Sequence, residues 1–326
     1  MSDTLLSVRN LRVEFNTRRG TLTALRDVSF DIRRGEVLGV VGESGAGKSM
    51  TGSAIMHLIP RPGRISGGEI HLGDRRIDNL GQAEIEAIRG RHIGMVFQDP
   101  LTSLNPLMKV GEHLIETIRV HLKLSRKAAL DRAIELLSEV GIPDPAVRME
   151  SYPHEFSGGQ RQRVVIALAL CAGPELVIAD EPTTALDVSV QAQIIRLIRR
   201  LCETHGTAFM LITHDMGMIA ETADRVAVMY AGRVAEIGRV ADVVKTPRHP
   251  YAQGLMGAIP SLDNDEPRLK QIPGSMPSLS AQPKGCSFNP RCDHAMDICR
   301  KQEPELVGRN THFAACHLYP GMEVQA

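Results

Sequence analysis

The stretch "EVLGVVGESGAGKS", Glu36 to Ser49, decides the fold. Its first half is an almost unbroken apolar run of strand length, the pattern of a strand covered on both faces. Its second half, "GESGAGKS" (Gly42–Ser49), fits G-x-x-x-x-G-K-[ST] and leads into a helical stretch. In that setting the glycines let backbone N–H groups converge on a phosphate, Lys48 reaches the β and γ oxygens, and Ser49 offers a hydroxyl to Mg²⁺. The site predicted here comprises Gly42, Glu43, Ser44, Gly45, Ala46, Gly47, Lys48 and Ser49, with Met50 following in the helix.

Outward from this loop, similar apolar runs recur at "IGMVF" (Ile93–Phe97), "ELVIAD" (Glu175–Asp180) and "AFMLIT" (Ala208–Thr213), separated by helical stretches. That order predicts an α/β protein with a parallel sheet core. Alternating apolar residues at Val8, Leu11, Val13 and Phe15, then at Leu25, Val28, Phe30 and Ile32, predict two half-exposed strands. "VMYAGRVAEIG" (Val228–Gly238) predicts a hairpin turning at Ala231-Gly232. Between Leu101 and about Cys171 no strand signal interrupts a helical pattern, with Leu114, Ile118, Ile134, Leu137 and Val140 spaced for one face. This segment is expected to be a helical subdomain inserted in the sheet core.

Polar residues close the buried runs. Asp180 ends a strand where a carboxylate is costly unless a metal or donors compensate it, and Glu181 beside it can act as a general base on water. Gln98 follows "IGMVF", His214 follows "AFMLIT", and Asp187 lies in the "TTALD" turn. Together they put polar groups at the carboxyl edge of a sheet, where ligands of α/β proteins bind.

A second anion device appears at "FSGGQRQR" (Phe156–Arg163), where Ser157-Gly158-Gly159 open a helix. One triphosphate in its own chain needs only one cradle. The economical reading is that the second grips a nucleotide held by another subunit, so that ATP is sandwiched head to tail.

Composition limits the alternatives. In 326 residues Lys+Arg and Asp+Glu balance at 38 each and aromatics make up 3%, so neither a basic footprint nor a base-stacking platform is present, and nucleic acid is not an expected partner. The longest wholly apolar run, Val164 to Ala172, is far below the roughly 20 residues of a membrane span. The start "MSDTLLSVRN" lacks the layout of a signal peptide, so the chain is expected to stay in the cytoplasm.

The ordered set "GESGAGKS", Gln98, "FSGGQ", "LVIADE", "ALD" and His214 resembles the ATP-binding subunit of ABC transporters across roughly residues 5 to 245. Phe156 stands where that family's signature usually has Leu, an apolar-for-apolar change. The resemblance implies a P-loop NTPase of the ABC nucleotide-binding type, with a mixed sheet and an inserted helical subdomain. It implies that Gln98 senses Mg²⁺ and water, and that Ser49, Gln98 and Asp180 surround the Mg²⁺. Glu181 would be the catalytic base and His214 the switch residue on the γ-phosphate. Ser157, Gly158, Gly159 and Gln160 would act in trans, Asp187 would cross the dimer interface, and Phe15 would stack on adenine; a core role for Phe15 is the alternative.

After Thr246 the composition shifts: ten of the nineteen prolines and four of the six cysteines fall in the last 80 residues. Such a segment cannot build a large core and is expected to need a staple. Cys286, Cys292, Cys299 and Cys316 are spaced C-x5-C-x6-C-x16-C. In a cytosolic chain clustered thiols suggest a soft-metal site rather than disulfides, with an iron–sulfur cluster, zinc and unliganded thiols as the readings. His294, His312 and His317 nearby read as surface or supporting residues, and Cys171 and Cys202 as packing residues. With "RHPYAQGLMGAIP" before it, this tail resembles the C-terminal extension of dipeptide and oligopeptide import ATPases, which implies a [4Fe–4S] cluster.

The division expected is a nucleotide-binding domain over 1–246, its helical part at 101–171, and an irregular Cys-rich extension over 247–326. The resemblance further implies an ATPase at the cytoplasmic face of the inner membrane. Its implied partners are a second ABC ATPase subunit in a heterodimer, two transmembrane permease subunits and an extracytoplasmic peptide-binding protein. Import of nickel or another small solute, and a soluble ABC ATPase without a transporter, are the competing readings.

Overall fold

A computed structural model describes residues 3–18, 20–258 and 271–325. The chain opens with two long strands, β1 (Thr4–Thr17) and β2 (Gly20–Arg33), then the wholly buried β3 (Val37–Val41) and helix α1 (Lys48–Ile55). Next come β4 (Gly63–Leu72), β5 (Arg75–Arg76), α2 (Gln82–Ile88) and β6 (Ile93–Val96). Helices then follow without a strand: α3 (Pro100–Ser103), α4 (Val110–Leu122), α5 (Arg126–Glu139), α6 (Pro145–Arg148) and α7 (Gly158–Leu170).

The order resumes with β7 (Leu176–Asp180), α8 (Val188–His205), β8 (Ala208–Thr213) and α9 (Met216–Thr222). Two strands, β9 (Arg225–Tyr230) and β10 (Arg233–Arg239), and two helices, α10 (Val240–Lys245) and α11 (Pro250–Gly257), follow. Three short strands lie near the end: β11 (Val307–Arg309), β12 (His312–Ala314) and β13 (Glu323–Val324).

Two compact units emerge. One is built mainly from Leu80–Ile212 and holds β6, β7 and β8, paired in parallel with Val96 opposite Ala179 and Asp180 opposite Ile212. Every residue of β7 and β8 is buried, which explains why these strands read as continuous apolar runs. Its helices bury one face each: α4 turns Leu114, Ile115 and Ile118 inward, and α5 turns Ala129, Ala133, Leu136 and Leu137 inward. The single apolar face expected through Ile134 and Val140 is interrupted. Lys123 adopts a left-handed conformation at φ 54° and ends α4, and Ser125 starts α5 by accepting the Ala128 N–H.

The other unit comprises Leu6–Ile32, Leu38–Asn79 and Thr213 onward. In it β4 pairs antiparallel with β1 over a register running from Leu6↔Leu72 to Phe15↔Gly63. Strand β4 was not expected, because its "GRISGGEIHL" carries three glycines and only Ile70 is buried. Strand β3 lies parallel to β9, and β9 and β10 form the expected hairpin, with Ala231 (φ 48°) and Gly232 (φ 79°) both left-handed in its turn. The C-terminal strands extend the same ladder: β12 pairs with β10, β11 with β12, and β13 with β11.

Candidate functional site

In the second unit, β3 delivers the chain to Gly42, whose φ of 153° suits glycine, and a side chain there would collide with the Met229 carbonyl 2.3 Å away. Gly47, at φ 103°, is the N-cap of α1, and a Cβ on it would press on Leu25 Cδ2 at 2.8 Å. The loop therefore demands glycine for both conformation and space. Lys48 is buried, and its ammonium donates to the carbonyls of Gly42 (2.8 Å) and Glu43 (3.2 Å). This holds a cation at the N-terminus of an eight-residue helix, where backbone N–H groups and the helix dipole already favour an anion.

Phe15 is half-buried near the end of β1, and its ring covers Gly63, whose Cβ position lies 2.6 Å from Phe15 Cε1. His214 follows β8 directly and is exposed, while Asp215 behind it caps α9 by accepting the N–H groups of Gly217 and Met218.

In the first unit, β6 ends at Val96, one residue earlier than expected, and Phe97 and Gln98 emerge into solvent. Gln98 Nε2 donates to Glu181 Oε2 at 3.1 Å, and Thr184 Oγ1 donates to the same oxygen at 3.0 Å. Thr184 was missed; nothing in the sequence distinguishes a threonine four residues past a strand end. Asp180 is 8% exposed at the end of β7. Glu181 follows it in a left-handed conformation (φ 46°), its N–H donating to the Ile212 carbonyl. That turn directs consecutive carboxylates differently, one buried and one reaching Gln98.

Ser157 is exposed at the N-cap of α7. Its Oγ accepts the Gln160 N–H (3.3 Å) and its N–H donates to Gln160 Oε1 (3.1 Å), a reciprocal cap. A hydroxyl that accepts from its own helix still has its hydrogen to donate outward. Behind it, a Cβ on Gly158 would lie 3.3 Å from Leu186 Cδ2, and one on Gly159 would lie 2.6 Å from Val190 Cγ1. The signature turn thus seats on the segment around Asp187. Asp187 itself caps α8, accepting from Val190 N–H (3.0 Å) and Ser189 Oγ (2.9 Å), and the Val190 bond holds its carboxyl below the usual range. Phe156 is buried under the Arg148 guanidinium, 5.5 Å from the ring centroid, so the aromatic substitution is accommodated by packing.

The C-terminal cysteines lie within electrostatic reach of one another: Cys286, Cys292 and Cys299 all act on Cys316. Burial is the main cause that pushes the Cys316 thiol up to about 11, and it raises Cys286 and Cys292 as well. Among the described residues, however, no three His, Cys, Asp or Glu side chains are placed to hold a metal ion. The four cysteines expected to hold an iron–sulfur cluster, with zinc as the alternative, are therefore not gathered into an ion site among the described residues. Cys299 Sγ takes the Met296 N–H at 3.5 Å.

Of the surface and supporting roles expected of His312, the surface one does not hold. His312 is buried and meets the fully buried Glu236 at 2.6 Å, and Glu236 further accepts the backbone N–H groups of Arg248 and His249. Cys171 and Cys202 are buried packing residues as expected; burial pushes Cys171 up to about 12, and Cys202 Sγ lies 3.2 Å from the Gly35 carbonyl.

Residues 25–184 match the ABC transporter family, and residues 235–299 match the C-terminal region of oligopeptide/dipeptide transporters. The oligopeptide transport ATP-binding protein OppD of Salmonella typhimurium is 50% identical over 97% of this chain and 94% of its own. The dipeptide transport ATP-binding protein DppD of Bacillus subtilis is 47% identical over 96% and 94%. Among solved structures, a dimeric ATP-binding cassette bound to ADP and Pi aligns at a TM-score of 0.65 and 28% identity, covering 72% of this chain and 98% of its own. The protein cbiO1 from Clostridium perfringens, part of the ABC transporter complex cbiONQ, aligns at 0.66 and 30%, covering 75% and 92%.

Proposed function

The chain belongs to the ABC transporter ATP-binding family, among its oligopeptide and dipeptide transport members, and on that premise we propose that it hydrolyses ATP to drive peptide uptake. The peptide would pass through two membrane-spanning permease subunits, fed by an extracytoplasmic binding protein. One observation carries the reading. Two helices open on glycine turns, α1 behind Gly47 with the buried Lys48 as its first residue, and α7 at Gly158-Gly159 behind the exposed Ser157 hydroxyl, with no lysine in that turn. Such a pair makes two halves of one nucleotide site, contributed by two subunits facing head to tail.

On this reading Lys48 and the loop N–H groups hold the phosphates, Glu181 takes a proton from the attacking water, and Gln98 positions that carboxylate. His214 and the Ser157 turn grip the γ-phosphate from either side of the pair, Asp187 lies at the junction, and Phe15 offers a ring to adenine. Ser49, Gln98 and Asp180 form a set of hard oxygen donors of the kind Mg²⁺ takes, and the ion would neutralise charge developing on the phosphates. ATP drives closure because it binds the closed pair better than the open one.

The partner ATPase is read as a second, similar subunit in a heterodimer. Among the described residues no helix is long and apolar enough to cross a membrane; the chain would work at the cytoplasmic face of the inner membrane, held there by the permeases. Functionally, residues 1–246 are taken as the nucleotide-binding domain, with 101–171 relaying to the permeases and 247–326 as a Cys-rich extension.

For that extension we keep an iron–sulfur cluster as the proposal. A cluster is larger than one ion, so its thiolate ligands need not converge on a point, and the four thiols do share one neighbourhood. Anaerobic purification should give iron, labile sulfide and broad visible absorption; colourless, iron-free protein overturns it. The transport reading is tested by reconstituting the chain with its membrane partners. Di- or oligopeptide should stimulate ATP hydrolysis, and stimulation by nickel alone would redirect the reading to metal import.

A further inference from the structure

The phosphate-binding loop is held from behind by the C-terminal region. Glu43, second residue of the loop, receives a two-pronged ion pair from Arg291: Nη1 to Oε2 at 3.0 Å and Nη2 to Oε1 at 3.1 Å. The Arg291 side chain is 7% exposed, and its remaining donors are also committed. Nε bonds the Pro273 carbonyl at 2.7 Å, Nη2 approaches that of Ile272 at 3.4 Å, and Nη1 reaches the Tyr230 hydroxyl at 3.3 Å. The guanidinium also lies 5.8 Å from the Tyr230 ring centroid and 5.9 Å from that of Phe288. A rigid fork with every prong occupied has little freedom to leave its carboxylate.

Other contacts reinforce the hold. The Glu43 backbone N–H donates to the hydroxyl of Tyr251 at 2.8 Å, and Tyr251 is fully buried with its ring 4.6 Å from that of Tyr230. Met276 lies under the loop, its sulfur 3.9 Å from where a Cβ on Gly45 would sit. Lys48 in turn donates to the carbonyl of Glu43. Arg291 thus connects through one loop residue to the lysine of the phosphate site.

The pair also solves an electrostatic problem. An unpaired carboxylate in a loop that receives a triphosphate repels its ligand, and a paired one does not. We propose that Arg291 is a positioning residue for nucleotide binding, neutralising Glu43 and fixing the loop through it, with Tyr251 as its second anchor. This rests on the ATP-binding reading above and assigns the C-terminal region a part in that site.

The test is Mg·ATP affinity of the full chain, read by fluorescent-nucleotide titration, with thermal melts confirming folding. Arg291→Gln should weaken binding about tenfold, because it leaves Glu43 charged and unpaired. Adding Glu43→Gln to that variant should restore affinity to within about threefold of the parent, since the repelling charge is gone. Arg291→Gln binding like the parent, or a double variant no better than the single, overturns the proposal. Should Arg291→Gln fail to fold, Tyr251→Phe keeps the buried ring and loses only the hydroxyl; it should weaken ATP a few-fold, and parental affinity in that variant overturns the proposal equally. A parent chain that binds no ATP at all would instead defeat the functional reading.

Discussion

Gln98, one residue past the exposed Phe97, and Glu181, one residue past the buried Asp180, meet at 3.1 Å across the ends of β6 and β7. Both are brought there by parallel pairing of two short buried strands, so the bond reports correct register of the sheet edge. Removing the carboxylate charge should therefore cost chemistry and not binding. Glu181→Gln is expected to bind ATP with parental affinity and to turn over about a hundredfold to ten-thousandfold more slowly, the range of general-base loss. Single-turnover hydrolysis beside equilibrium nucleotide binding checks it; parental hydrolysis removes Glu181 from the base role.

Ser157 carries two duties that substitution can separate. Aspartate caps a helix as well as serine does but carries a charge that repels phosphate. Ser157→Asp should keep the melting temperature of the parent and lose hydrolysis, whereas Ser157→Ala should also lose about 1 kcal/mol of stability. Equal activity of Ser157→Asp and the parent would leave the residue a cap and nothing more.

His249 makes the fold acid-sensitive. Complete burial pushes its imidazole down to about 4, and its Nδ1 accepts the Tyr251 N–H at 3.0 Å. The folded state keeps it neutral while the unfolded chain protonates near pH 6.5, so its contribution is full above that pH and is lost as pH falls toward 4. The slope is about 1.4 kcal/mol per pH unit. Melting curves from pH 7.5 to 5 should show a smaller acid-induced fall for His249→Asn, which keeps a capping acceptor without the titration; identical falls would assign the sensitivity elsewhere.

The Glu236–His312 pair ties β12 to β10 inside the ladder. His312→Ala leaves a fully buried carboxylate with two backbone donors and no side-chain partner, and should destabilise the chain by about 3 kcal/mol. Chemical denaturation measures it, and a loss below about 0.5 kcal/mol would show the pair to be dispensable.

How much of this was legible in the sequence depends on distance along the chain. The phosphate loop, the α7 cap and the strand-end polar residues are local signals: glycines at fixed offsets, Ser before a helix, polar groups after apolar runs. The β9–β10 hairpin was readable for the same reason, from Ala231-Gly232. Strand β4 was hidden because its glycines and exposed residues carry no alternation; it exists through pairing with β1. Arg291 and Glu43 are 248 positions apart, and His312 and Glu236 are 76 apart. No local pattern announces such partners. The cysteines show the converse: their spacing suggests a soft-metal site, yet among the described residues no three His, Cys, Asp or Glu side chains are placed to hold an ion.

The measurement closest to the central claim is ATP turnover per chain as purified protein is diluted, with light scattering reporting its assembly state. If Lys48 and Ser157 serve different nucleotides, solitary chains hold ATP yet release no phosphate above background, and activity returns only on pairing with another cassette. Undiminished turnover by monomers, with Ser157→Asp as active as the parent, would contradict the divided site.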